Sequence, residues 1–438
     1  MSNIIIMLYP ILITALFSAS FLFAFIRYIY NALCIRPKSV LSAEILKYRK
    51  PAPSARSNGR NILISVLITL VLSRLLIFLI GYIGYLITGK TGQYTNNLSY
   101  LLTQWDANHY LGIAENGYVT EGDARLHIVF YPLYPFLVKA LTYLFKDTQL
   151  SAFILSNACL VVSGYILYRL SELALGPSSA HFSLLLFMFC PAAVFFSIPY
   201  TESLFFLLTI TSVYFAKKHR FALALLFGAF SAFTRLPGVA CAVPIFYEML
   251  SFKLKRARNI KDHTKRRKFI LKNAAFSFAA CLTVLTGFFA YLLINKLVTG
   301  DAFRFLDYQK NHWGQSFGTV FGTSKYTIRY LFESPLKWQV RGIWFPQTLI
   351  LLSVAVMLAV SWKCLSPGDY AYALIYFLIT VSPTSLLSGT RYLSAMYPAY
   401  LMMGYASKRK PLRAALFLIQ LIMFTYCMWM FMVEESFL

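Results

Sequence analysis

Between Gln104 and Tyr118 the chain gathers Trp105, Asp106, His109, Tyr110, Glu115 and Tyr118. This is a dense cluster for a protein with 16 acidic residues among 438. Asp106, His109 and Tyr110 are spaced i, i+3, i+4, so a helix would carry all three on one side. A carboxylate there can take the proton of a hydroxyl as that oxygen forms a new bond. At a partly dehydrated interface, burial raises a carboxyl pKa and makes the anion a better base. Trp105 can stack on a sugar face or anchor the helix at headgroup level. His109 can bind a phosphate or tune the carboxylate, although a lone histidine is more often structural. The plain alternative for Asp106 is a solvated acid on a surface helix.

Other candidates lie far away in the chain. Glu202 follows Pro199 and Tyr200, where two apolar runs meet, and can bond a sugar hydroxyl or cap the next helix. Arg235, in Thr234-Arg235-Leu236-Pro237-Gly238, and Arg391, in Ser388-Gly389-Thr390-Arg391-Tyr392, can each hold a lipid phosphate through charge-assisted bonds. Snorkelling to headgroups is the competing role for both. Lys310 and His312, beside Trp313, and Tyr392 complete the substrate-binding set. The seven cysteines lie singly, without a CxxC or Cys/His cluster, so neither zinc nor a disulfide framework is indicated. No cofactor is expected and no divalent metal is indicated, with Asp106 and Glu202 as an open ligand pair. Walker, GxSxG and HExxH patterns are absent from the sequence.

The elements that must position these residues are apolar. Hydrophobic residues make up 58% of the chain and charged residues 13%, far too little charge for a water-facing surface of this size. Runs at 4–30, 61–88, 151–171, 180–197, 201–216, 221–235, 237–250, 273–296, 343–362, 370–388, 392–406 and 411–432 predict an all-α polytopic membrane protein with about twelve transmembrane helices. The first run is too long for a cleaved signal peptide and reads as a retained span. The net charge of +25 sits in short connectors, notably 35–60 and 253–272. That is the pattern of cytoplasmic loops beside anionic lipid, not of nucleic-acid binding.

This orientation puts loops of about 89–130 and 297–342 on the external or lumenal face. The first is acid-biased, with Asp106, Glu115, Glu121 and Asp123 against Lys90 and Arg125. Leu98, Leu101, Leu102, Trp105, His109, Gly112 and Ile113 recur at helical spacing, so 97–116 reads as an interfacial amphipathic helix stopped at Gly117. The run 131–145 is short and opens with two prolines; a parity count of the crossings makes it re-entrant or interfacial. Pro237-Gly238 should break two short helices beside a cavity on the external side.

The segment Trp105-Asp106-Ala107-Asn108-His109-Tyr110 through Gly117-Tyr118 resembles the WDxxHFxxIAxxGY signature of the PIG-V family, the GPI mannosyltransferase 2 type. Phe130-Tyr131-Pro132-Leu133-Tyr134-Pro135 is similar to that family's FFPLYP segment. Pro191 to Phe196 with Tyr200-Thr201-Glu202-Ser203-Leu204-Phe205 is similar to its PAAVFF…YSESLF block. The resemblance runs from about residue 61 to 406, so the domain would be 61–438. Residues 1–60 add a span and a basic cytoplasmic linker outside the pattern.

The resemblance implies a GT-C type membrane glycosyltransferase. Such an enzyme takes a hexose, typically mannose, from a polyprenyl-phosphate carrier on the non-cytoplasmic face and passes it to a glycolipid or glycan acceptor. Asp106 would be the catalytic base of an inverting displacement, with no nucleotide sugar involved. Arg391-Tyr392 looks more like bacterial relatives, which favours a bacterial cytoplasmic membrane over the endoplasmic reticulum. The rival classes are a lipid or sugar transporter, which should show paired half-repeats, and a non-catalytic membrane subunit requiring a partner.

Overall fold

A computed structural model of the chain describes residues 2–32, 57–88 and 103–433. The basic residues Arg36, Lys38, Lys47, Arg49, Lys50 and Arg56 lie outside these, as does the expected helical turn over 97–102. Among the described residues the secondary structure is helical, apart from an isolated bridge between Phe317 and Pro383.

Among the described residues, six segments are long and apolar enough to cross a membrane. Helices α1 (Ser2–Ala32) and α2 (Gly59–Thr88) come first. The third is α5 (Thr148–Leu175). The fourth, His263–Thr299, is built from α10 (His263–Cys281) and α11 (Thr286–Thr299), joined by a 3-10 turn. Lys337–Val360, which contains α14 (Phe345–Val360), and α18 (Lys410–Val433) complete them. Part of their apolar surface faces outward, as Leu72 and Ile87 do on α2, while Ile62, Val66 and Ile77 of the same helix are buried.

Among the described residues, six of the twelve expected spans reach this length. The remaining expected spans are α6 (Pro177–Met188), α7 (Glu202–Lys217), α8 (Phe221–Thr234), α9 (Ala242–Leu254), α15 (Pro367–Val381) and α17 (Tyr397–Ala406). They have 12, 16, 14, 13, 15 and 10 residues, below the roughly 20 of a straight crossing. Most of them are enclosed by other helices: α7 is buried along nearly its whole length. Backbone breaks inside a membrane are tolerated where protein surrounds them, so apolar length in the sequence over-counts helix length here.

Two expected irregularities are present. Helix α4 (Leu133–Phe145) bends by 113° from the 3-10 stretch Asp123–Val129. Its 13 residues rise only about 20 Å, short of the ~30 Å hydrocarbon core. At the second, α8 ends before Arg235, whose backbone is extended, and a 3-10 turn over Leu236–Cys241 leads into α9. Gly238 makes the fold-back possible: a Cβ on it would lie 2.3 Å from the backbone of Ser231.

In the first loop the described helix is α3 (Asp106–Asn116), which starts at the aspartate itself. Gly117, at φ 74°, ends it, and its N–H donates to Ile113 O. The second loop holds α12 (Arg304–Trp313) and α13 (Val320–Glu333). A short helix α16 (Gly389–Ser394) carries Arg391.

Candidate active site

Four charged side chains, drawn from four distant parts of the sequence, form one continuous array. Arg391 Nη1 donates to Asp106 Oδ2 at 2.8 Å. Arg391 Nε lies 3.2 Å from Glu202 Oε1, as an ion pair. Arg235 Nη1 donates to the same Glu202 oxygen at 2.5 Å. The order Arg235, Glu202, Arg391, Asp106 alternates cation and anion, so the array carries no net charge. Glu202 is 1% exposed and Arg391 4%, whereas the Asp106 side chain is 25% exposed. Only the last carboxylate is open to an incoming group, and Arg391 binds just one of its oxygens.

Local structure explains this placement. Asp106 and Glu202 are each the first residue of a helix, α3 and α7, where unpaired N–H groups and the helix dipole favour negative charge. Arg235 comes from the break after α8 and Arg391 from the short helix α16, and both guanidinium groups turn inward. Arg391 lies against the rings of Tyr392 at 4.9 Å and Tyr200 at 5.0 Å, and Arg235 against Tyr392 at 4.5 Å. The turn bearing Arg391 is fixed from below. Gly389 N–H donates to Gln347 Oε1, and Gln347 Nε2 donates to Leu386 O. Tyr376 Oη donates to Tyr392 O.

Trp105 stands at φ 49°, a left-handed conformation unusual for a tryptophan. Its ring packs edge-on against Phe431 of α18 at 5.2 Å. Tyr200 Oη donates to Gln104 O, and this buried bond fastens the residue before Trp105 to the base of α7. Tyr110 faces the core among Phe130, Tyr134 and Tyr200, and burial pushes its phenol pKa up. Its place is under the site, not in the opening. Trp105 likewise anchors through an aromatic neighbour.

His109 is half-buried and pairs with His127, Nδ1 to Nε2 at 3.1 Å. One ring must donate and the other accept, so the pair carries at most one shared proton in that contact. Burial lowers the His109 pKa, opposed by Asp106, and burial followed by His109 lowers that of His127. His109 also stacks on Phe130, which meets Trp313 edge-on. Lys310 and His312 are exposed on α12 and do not join the ionic array; His312 reaches the site only through its neighbour Trp313.

Sequence reasoning brought Asp106, Glu202, Arg235, Arg391 and Tyr392 forward separately, and the fold brings these five together. It did not find His127, Tyr200 or Gln347. His127 lies 18 residues from His109, and no periodicity links them. Among the described residues no group of three or more His, Cys, Asp or Glu side chains converges as metal ligands. The Asp106–Glu202 pair is bridged by Arg391.

The class is an all-helical membrane protein in which Asp106 is held by a buried array of paired charges. Residues 85–297 match the family model described as mannosyltransferase (PIG-V). The chain is similar to the GPI alpha-1,6-mannosyltransferase 2 of Homo sapiens, 28% identical over 172 residues, which are 36% of this chain and 32% of the human one. The enzyme of the same name from Cricetulus griseus is 34% identical over 123 residues, 26% of this chain and 24% of that one. The GPI mannosyltransferase 2 of Cryptococcus neoformans is 27% identical over 205 residues, 43% of this chain and 45% of that one. The chain thus spans less than half the length of these curated relatives. Among solved structures, an Archaeoglobus fulgidus oligosaccharyltransferase in complex with zinc and sulfate aligns over 83% of this chain and 53% of its own. Its identity is 11% and its TM-score 0.34.

Proposed function

We propose that this protein is a GT-C type glycosyltransferase that moves a hexose, most simply mannose, from a polyprenyl-phosphate carrier to a hydroxyl of a glycolipid or glycan. The reaction takes place on the non-cytoplasmic face. The observation that carries the reading is the array Arg235–Glu202–Arg391–Asp106, with its single accessible carboxylate at the end. The match of residues 85–297 to the mannosyltransferase (PIG-V) model supports the sugar-transfer class. The GPI acceptor named for the relatives is one member of the acceptor class. The bacterial cytoplasmic membrane is our preferred location, on the strength of Arg391-Tyr392.

In this mechanism the acceptor oxygen attacks the anomeric carbon while the carbon–oxygen bond to the carrier phosphate breaks. The acceptor proton passes to Asp106, and the phosphate leaves with the bonding electron pair, inverting the anomeric centre. Arg391 restrains the aspartate's rotamer by holding Oδ2 and leaves Oδ1 without a bond to it. Glu202 in turn positions Arg391, and Arg235 compensates the buried Glu202. Preorganisation of this kind limits the reorientation needed as charge moves.

The test is sugar transfer from a labelled lipid-phosphate donor in membranes carrying the Asp106→Asn variant. Asparagine can still accept from Arg391 but cannot take a proton, so transfer should fall by roughly 10²–10⁴. Transfer at the wild-type rate would refute the assignment. Mass spectrometry of the glycolipids and glycans lost on gene deletion identifies the acceptor.

A further inference from the structure

The second loop touches the elements on both sides of the Asp106–Arg391 pair. At one end Trp313, the last residue of α12, meets Phe130 edge-on, and Phe130 stacks on His109 of α3, the helix that begins at Asp106. At the other end Thr327 Oγ1 of α13 accepts from Gln347 Nε2 at 3.1 Å. The same amide holds the turn ahead of Arg391, with Nε2 donating to Leu386 O at 2.7 Å and Oε1 accepting from Gly389 N–H at 2.8 Å. Between Trp313 and Thr327 the loop is laid antiparallel on the chain that leads to this turn. Gly318 N–H donates to Ser382 O at 2.7 Å, and Thr384 N–H donates to Ser316 O at 2.9 Å. Thr323 Oγ1 donates to Pro383 O, and Thr327 Oγ1 donates to Thr323 O at 3.0 Å.

Two features set Gln347 apart from ordinary packing. The first N–H groups of any helix lack an intrahelical acceptor, and Ser388, the N-cap of α16, gives no side-chain bond there. The Gln347 oxygen supplies the acceptor from another helix. The second feature is saturation. Gln347 is 1% exposed, and its oxygen and two N–H groups each meet a fixed partner. The amide thus has one orientation, and a displacement of α13 pulls on the turn through it.

We propose that Gln347 is a positioning residue for sugar transfer, through which the seating of the second loop sets the place of Arg391 and so of Asp106. With residues 314–318 paired to 382–385, Thr327 and Gly389 are held at once, and Arg391 keeps Oδ2 of the aspartate. Unseating the loop frees Gln347 and takes the ion pair out of register. The assignment rests on Asp106 as the base.

Transfer from labelled farnesyl-phosphoryl mannose to the acceptors of native membranes, measured per folded protein, tests this. Gln347→Met keeps the bulk and removes all three bonds; it should lower kcat roughly tenfold with KM for the donor little changed. Thr327→Val removes only the hydroxyl that ties the loop to Gln347. It should lower kcat roughly threefold, and Thr327→Ser should recover most of that loss. In an Arg391→Lys background, where the pair is already displaced, Gln347→Met should cost little more, whereas a residue that merely holds the fold would add its full loss. Hydrogen exchange of the purified protein needs no substrate, and amides 386–391 should exchange faster in both Gln347→Met and Thr327→Val. Thr327→Val decides the matter should Gln347→Met not fold. Wild-type kcat in the folded variants, additive losses with Arg391→Lys, or unchanged exchange over 386–391 overturns the positioning role. A wild-type rate in Asp106→Asn removes the base instead, and the exchange result still judges whether the loop holds the turn.

Discussion

Arg391 has two carboxylates as partners, and each depends on it differently. Glu202 keeps Arg235 when Arg391 is removed, but Asp106 loses its single ion pair. Arg391→Met should therefore cost both stability and rate. Breaking a buried pair costs about 3–5 kcal/mol, and a base misplaced by about 1 Å loses on the order of 10² in turnover. Thermal unfolding and kcat with the lipid donor measure the two losses. Arg391→Lys keeps the charge but not the planar fork, so it should recover more of the stability than of the rate.

The histidine pair predicts a pH effect. Both pKa values lie below the ordinary histidine value of about 6.5, so the unfolded chain binds more protons once pH drops below that point. Stability contributed by the neutral pair is full above about pH 6.5 and declines as pH falls toward the depressed folded values. Melting temperature should fall between pH 7 and 5, and His127→Asn should flatten the fall. Asp106 and its motif neighbours were legible in the sequence because chemistry-bearing types cluster there. Their pairings were not: the partner of Asp106 is 285 residues away, and only tertiary folding relates the two.

At the scale of the elements, glycine marks where backbones touch. A Cβ on Gly287 of α11 would lie 1.9 Å from Ala229 O, and one on Gly238 would meet Ser231 and Ala232 backbone at 2.3–2.4 Å. No side-chain rotation relieves a clash with backbone. Gly287→Ala should therefore force α8 and α11 apart, at a cost of about 1–3 kcal/mol, seen as a lower melting temperature in detergent. Gly238→Ala should do the same and also shift Arg235, with a loss of transfer activity beyond the loss of stability. The break itself was legible from Pro237-Gly238. The short α4 was legible too, from its two prolines and the count of crossings. The lengths of the inner helices were not, because an apolar run reads the same whether it stands against lipid or against other helices.

For the whole molecule, the basic connectors set the expected sidedness. A cysteine replacing Lys310, exposed on α12, should react with an impermeant maleimide added outside intact cells, over the background of the native thiols. A cysteine replacing Lys265, exposed near the start of α10, should react only after permeabilisation. The reverse pattern would place Asp106 on the cytoplasmic side and remove the proposed chemistry. The membrane class was legible from composition, since 13% charge cannot clothe a soluble protein of this size.

The ion pair between Asp106 and Arg391 also bears on how the protein is made. A ribosome that has delivered the aspartate must add 285 further residues before the matching arginine emerges. Through most of synthesis the future base has no mate, and the two guanidinium groups reach Glu202 at different times. Competence for chemistry thus arrives late, once residue 391 of 438 is in place, so a chain abandoned midway leaves an inert stub in the bilayer.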